Sequence, residues 1–105
     1  MQIRTLTLKE LYEAYELVKT IYDLSYESFE DRIYEMKDRY TMIGVFEKDA
    51  LLAYAGVDIL TTLKEGRHLR VYEIIAKDQN TMQHLKDYLQ DYAKIAAANE
   101  VIYEN

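Results

Sequence analysis

The hydrophobic pattern of this chain changes twice, from a helical period to runs rich in β-branched and aromatic residues near Tyr40 and back to a helical period near Asn80, and no proline interrupts either regime. A helical stripe repeats every three or four residues and a strand face every two, so the switches predict helices toward the ends and strands in the middle. Before the first switch, Met1 to Leu6 alternates as a short strand, and Thr7 followed by Glu10 has the capping-box spacing that opens a helix. Leu8, Leu11, Tyr15, Val18 and Ile21 with Tyr22 then share one face. Ser25 is placed to cap a second helix with the apolar stripe Tyr26, Phe29, Ile33, Met36 and Tyr40. The middle holds TMIGVFEKD and ALLAYAGVDILTTL, joined by a polar turn at Glu47-Lys48-Asp49, which reads as an antiparallel hairpin. Leu63 to Gly66 supplies the next turn, and His68 to Ala76 is a further strand. After Lys77-Asp78-Gln79, Asn80 and Gln83 form a capping pair for a long helix lined by Met82, Leu85, Leu89, Tyr92 with Ala93, and Ala96, with Asn99 as its stop. Val101 to Tyr103 closes the series as a strand parallel to its predecessor. The expected fold class is α/β (α+β), a mixed and mostly antiparallel sheet in the order β-α-α-β-β-β-α-β.

With 105 residues, half of them hydrophobic and 30% charged, the chain suits a single domain, residues 1–105, with one solvated surface. A net charge of -6 repels a phosphate backbone, so no nucleic-acid partner is expected. The absence of cysteine excludes a disulfide framework, a thiolate metal site and a cysteine nucleophile, and suits a cytoplasmic protein. Two histidines, His68 and His84, are too few for a histidine-built site, so no metal is expected. The longest apolar run, Ala50 to Val57, is far shorter than the roughly 18–20 residues that span a bilayer, so no membrane association is expected. Eleven tyrosines recur at helical spacing and read as rim-of-core residues whose hydroxyls reach water.

The element order and the wording of residues 56–78, GVDILTTLKEGRHLRVYEIIAKD, resemble the GNAT N-acetyltransferase superfamily, in which a Gly-Arg-His-Leu turn leads into a strand ending in an acidic residue and two aliphatics. The segment HLKDYLQDYAKIAAANEVIYEN is similar to that family's helix after the cofactor loop and the strand beyond it. The resemblance implies a GNAT-like fold without its last helix and two strands. It also implies acetyl-CoA as cofactor and transfer to a small-molecule or peptide amine.

Two departures qualify that implication. Aligned through Leu85, Leu89 and Ala93, the family's phosphate-cradling Gln/Arg-x-x-Gly-x-Gly/Ala motif falls on Lys77, Asn80 and Met82, so both glycines are absent. Aligned instead through Tyr72 to Ile75, the loop is about four residues short. The amides of Asn80 and Thr81 remain available to an anion at the helix start, so the resemblance implies weak or lost acetyl-CoA binding. The second departure is the ending at Asn105. It leaves Val101 to Tyr103 as an edge strand beside an uncovered apolar face, from which a homodimer is expected.

In the family context, Glu73 is the candidate catalytic base for the attacking amine, and the backbone of Ile74, Ile75 and Ala76 corresponds to the strand end that pairs with the cofactor arm. With Lys77, Asn80, Thr81 and Met82, these are the candidate cofactor-binding residues. The plainer alternative for Glu73 is that strand alternation turns it to solvent or toward Arg70. Arg67, His68 and Arg70 form the densest basic spot, to be paired with surplus carboxylates or with an anionic group. Tyr72, Tyr88, Tyr92 and Tyr103 are alternatives as a proton donor, and core packing is their simpler role. A different reading of the whole chain is a non-catalytic binding or assembly module that keeps the fold and has lost acetyl-CoA.

Overall fold

A computed structural model describes residues 1–104. Five strands, β1 (Gln2–Thr5), β2 (Thr41–Glu47), β3 (Ala50–Thr62), β4 (Gly66–Ala76) and β5 (Val101–Tyr103), form one sheet in the order β1-β2-β3-β4-β5. The first three pairings are antiparallel and β4 with β5 is parallel. Three helices accompany it: α1 (Leu11–Val18), entered through a 3-10 turn at Leu8–Glu10, α2 (Tyr26–Met36) and α3 (Gln79–Ile95). The element order expected from the period switches is the one observed.

The sheet separates two cores because side chains alternate across it. On one face, Leu11, Ala14, Val18, Phe29 and Ile33 of α1 and α2 pack against Met42, Phe46 and Tyr54. On the other, Leu85, Leu89 and Ala93 of α3 cover Ile43, Val45, Ala55, Val57, Leu69 and Val71. Burying one such aliphatic side chain contributes about 1.5–3 kcal/mol. Val101 and Tyr103 of β5 pack partly into the α3 core. The proposed dimer edge extends to Asn105, which lies outside the described residues.

Local details differ from expectation at several ends. The α3 N-cap is Asp78, whose side chain accepts from the Thr81 N–H at 2.8 Å, and not Asn80, which is helical. A carboxylate two residues earlier reaches the same free amides and adds a favourable charge at the positive end of the helix. The α3 stop is Ala97 at φ 59°, with the Ala98 N–H bonded to the Ala93 carbonyl at 2.8 Å, so the left-handed residue precedes Asn99. Helix α2 ends at Met36, and Tyr40 lies beyond it on the approach to β2. At the first helix the sequence signal holds in part: the Glu10 carboxylate accepts from the Thr7 N–H at 2.9 Å while Arg4 clamps it at 2.7 and 3.0 Å. That clamp lowers the Glu10 carboxyl to about 2, with the Arg4 hydrogen bond as the largest cause.

Candidate functional site

A break in the β3–β4 register positions the central carboxylate. Gly56 stands opposite Glu73 and Val57 opposite Val71, so Tyr72 is an extra residue with no partner on β3. Such a bulge shifts the alternation of the strand by one. Leu69 and Val71 before it, and Ile74 after it, pack into the α3 core. Without the bulge, Glu73 would share the face of Leu69 and Val71. With it, Glu73 lies on the α1/α2 face.

There Glu73 is half-buried among phenols. Tyr22, from the segment linking α1 and α2, donates to Oε1 at 3.0 Å, and Tyr40 donates to Oε2 in a very short bond. Tyr40 also shares a 2.7 Å hydrogen bond with the fully buried Tyr54 hydroxyl. Burial pushes the Glu73 carboxyl above the usual carboxylate range, against the hydrogen bonds from Tyr40 and then Tyr22, which favour the ionised form. Burial likewise raises Tyr22 to about 12 and holds Tyr40 and Tyr54 well above the ordinary phenol range, so these hydroxyls stay protonated donors at neutral pH. Neither solvent nor Arg70 is the partner of Glu73, because Arg70 pairs with Glu65 at 3.4 Å and Glu104 at 3.0 Å.

Gly56 makes this arrangement possible. A Cβ at that position would overlap the Tyr40 hydroxyl and the Glu73 carboxylate, so the tyrosine crosses β3 only where a side chain is missing. Two cavities flank the carboxylate and share Met36, Tyr40 and Glu73 as walls. The first, about 190 Å³, adds Arg39, Asp58 and Tyr72. The second, about 260 Å³, adds Tyr22, Arg32 and an apolar wall from Val18, Leu24, Phe29 and Ile33. Burial also raises the Asp58 carboxyl, against an Ile59 backbone hydrogen bond and the Arg39 charge.

The expected cofactor residues lie along β4 and at the start of α3. Strand β5 pairs only with Leu69 to Val71, and Glu104 adds one bond to the Val71 carbonyl at 2.9 Å. From Tyr72 to Ala76 that side of β4 carries no strand among the described residues. The Lys77 N–H bonds the Leu52 carbonyl of β3 at 3.0 Å, which sets the alternation: Glu73 and Ile75 direct backbone groups toward β3, and Ile74 and Ala76 toward the open edge. Lys77 and Met82 line a cavity of about 490 Å³ with Asp78, Gln79 and Lys86. Asn80 is exposed and Thr81 is buried, its N–H and hydroxyl both held by Asp78 at 2.8 and 3.1 Å.

No family model matches the sequence, and no curated protein is similar enough to count as a relative. Solved structures, by contrast, superpose closely. A GNAT family acetyltransferase from Staphylococcus aureus aligns with a TM-score of 0.86 at 9% identity, over 99% of this chain and 85% of its own. The fold is that of the GNAT acetyltransferases. An aminoglycoside antibiotic 6'-N-acetyltransferase from Acinetobacter haemolyticus gives 0.84 at 12% identity, covering all of this chain and 79% of its own. An aminoglycoside N-acetyltransferase in complex with CoA gives 0.82 at 11%, over 99% of this chain and 76% of its own.

Within this GNAT fold, several site residues carry no distinctive local pattern. Tyr40 follows Met36 by four residues and so fits a helical stripe, and nothing local marks Tyr22, Arg32, Arg39 or Asp58. Gly56 did carry a signal: a lone glycine inside a strand pattern marks a bulge or a close backbone approach. Of the four tyrosines considered as donors, Tyr72 lines the first cavity, whereas Tyr88, Tyr92 and Tyr103 pack against the α3 core. In the basic spot, Arg67 donates to the Ala96 carbonyl at 2.9 Å and His68 is fully buried with Nδ1 2.9 Å from the Gly66 carbonyl. Among the described residues no group of three or more His, Cys, Asp or Glu is placed to hold a metal, and no helix is long and apolar enough to cross a membrane.

Proposed function

We propose that this chain is an amine N-acetyltransferase with weak affinity for acetyl-CoA, in which Glu73 accepts the proton of the acceptor amine. The observation that carries this is the bulge at Tyr72, which sets a half-buried carboxylate of raised pKa beside two cavities and next to the open edge of β4. A carboxylate pulled toward neutrality by burial is a better match to an amine than an exposed one. The free groups of Ile74 and Ala76 suit the amide-bearing arm of acetyl-CoA, which when bound supplies the activated acyl group.

The start of α3 fits the pyrophosphate poorly. Asp78 already occupies the Thr81 N–H with its own carboxylate, which a phosphate would have to displace against like charge. Met82 adds an apolar side chain, and only Lys77 and Lys86 oppose the repulsion. Calorimetric titration with acetyl-CoA is expected to give a dissociation constant weaker than micromolar. Asp78→Asn keeps the cap, because Asn and Asp cap equally well, and removes the charge, so it is expected to tighten binding. Tight wild-type binding would overturn the claim of weakness.

The Asp78 cap also favours a second reading, a non-catalytic module on the same fold. Absence of heat with both the wild type and Asp78→Asn selects it. A cytoplasmic location and a homodimer through the outer edge of β5 belong to the same proposal. Light scattering that gives only a 12.5 kDa species at micromolar concentration would remove the dimer.

A further inference from the structure

The chain has five arginines, and they divide cleanly. Arg4 is clamped to Glu10, Arg67 bonds the Ala96 carbonyl, and Arg70 pairs with Glu65 and Glu104. Arg32 and Arg39 have no ion pair or side-chain hydrogen bond with any described residue, although the chain carries nineteen acidic residues. These two are also the arginines that line the cavities on either side of Glu73, Arg39 the first and Arg32 the second. Seven residues apart on and just beyond α2, they stand about two helical turns from each other.

From this juxtaposition, and resting on the reading of Glu73 as the amine-facing base, we propose that the acceptor is a small amine that also carries an anionic group, a carboxylate or a phosphate. The amine meets Glu73, with Asp58 adding negative charge in the first cavity, and the anion meets Arg39 or Arg32 at the rim. A guanidinium presents a planar fork of donors that fits both anions, and it remains charged at any working pH. The volumes, about 190 and 260 Å³, lie below the roughly 300–1,000 Å³ of pockets for drug-sized ligands, so the acceptor is of amino-acid size and not a multi-ring polyamine. The apolar wall of Val18, Leu24, Phe29 and Ile33 in the second cavity accommodates a short aliphatic part.

The test is binding by chemical-shift perturbation of the whole isotope-labelled chain at low ionic strength, without cofactor. Matched probes differ only in the anion: leucine against leucinamide, and O-phosphoethanolamine against ethanolamine. The anionic member of at least one pair is expected to bind at least about tenfold more tightly, with shifts centred on Tyr40, Asp58 and Glu73. The pair that discriminates names the anion. In Arg32→Gln/Arg39→Gln the preference is expected to vanish. Equal binding within both pairs overturns the proposal, as does a preference that survives the double variant. If that variant fails to fold, the probe pairs on the wild type decide alone. Selective binding at Glu73 without acetyl transfer would sink the enzyme reading and leave the acceptor proposal standing, whereas transfer to neutral amines at equal rate would do the reverse.

Discussion

Gly56→Ala is the substitution that most directly tests how the site is built. The added methyl overlaps the Tyr40 hydroxyl and the Glu73 carboxylate, so Tyr40 must leave its place across β3. The fully buried Tyr54 hydroxyl then loses Tyr40, its hydrogen-bond partner at 2.7 Å, and an unsatisfied buried hydroxyl costs about 1–3 kcal/mol. The bond from Tyr40 to Glu73 is lost with it, and a hydrogen bond to a charged group is worth about 1.5–3 kcal/mol. Against these stands the ordinary gain from replacing glycine in a strand, about 0.5–1 kcal/mol. The net expectation is a destabilisation of about 2–5 kcal/mol, which in a domain of this size lowers the melting temperature by roughly 10–25 °C. Urea unfolding at pH 7 measures it directly. The mechanism is separated from general strand damage by repeating the substitution in a Tyr40→Ala background, where the tightest overlap is relieved, only the flexible end of Glu73 has to shift, and most of the penalty should disappear. An unchanged penalty in that background, or a single variant within about 0.5 kcal/mol of wild type, would refute the reasoning.

Glu73→Gln is expected to keep the fold and abolish any acetyl transfer, and its stability should depend on pH in a defined direction. Because the folded carboxyl titrates above its ordinary value of 4.5, its contribution is fully present below pH 4.5 and is lost as pH rises through the folded pKa. The wild type should therefore lose ground to Glu73→Gln as pH increases, and a constant difference between pH 4 and 7 would contradict the raised pKa. Glu10 behaves oppositely: lowered to about 2, it stabilises above pH 4.5 and loses that contribution as pH falls toward 2, so Glu10→Gln should cost about 1 kcal/mol at pH 7 and little at pH 2. Ala97→Gly should raise stability by about 0.5–1 kcal/mol in thermal unfolding, since φ 59° suits glycine and strains alanine.

The legible parts of this molecule are those governed by repetition. Leu85, Leu89 and Ala93 recur at helical spacing, and they are the apolar residues that α3 buries. Met42 to Phe46 is an unbroken apolar run because β2 is buried on both faces, with Ile43 and Val45 toward α3 and Met42 and Phe46 toward α1. The site depends on interruptions of repetition, which local patterns carry weakly. Strict alternation from Leu69 and Val71 puts Glu73 on the wrong face, and only the pairing with Gly56 reveals the extra residue at Tyr72. Tyr40 fits a helical stripe perfectly well by spacing, yet the helix ends four residues earlier and leaves its hydroxyl free to reach across the sheet. Asp78 and Asn80 are both competent caps, and the choice between them is made by which one reaches the Thr81 amide. Each of these outcomes is decided by a contact with a distant strand or by competition between neighbours.

The phenols around Glu73 have an optical consequence. With eleven tyrosines and no tryptophan, the chain emits in the ultraviolet through phenol alone. An excited phenol is far more acidic than its ground state, and one bonded to a carboxylate passes its proton across and goes dark. Tyr22 and Tyr40 donate to the two oxygens of Glu73, so both rings are expected to be quenched. Tyr22 is the more exposed partner, at 42%, and any guest that takes its oxygen will release it. Tyrosine emission should brighten as the carboxylate is claimed, on the order of one newly unquenched ring among eleven. The pocket thus carries its own label, readable without dye, tag or cofactor.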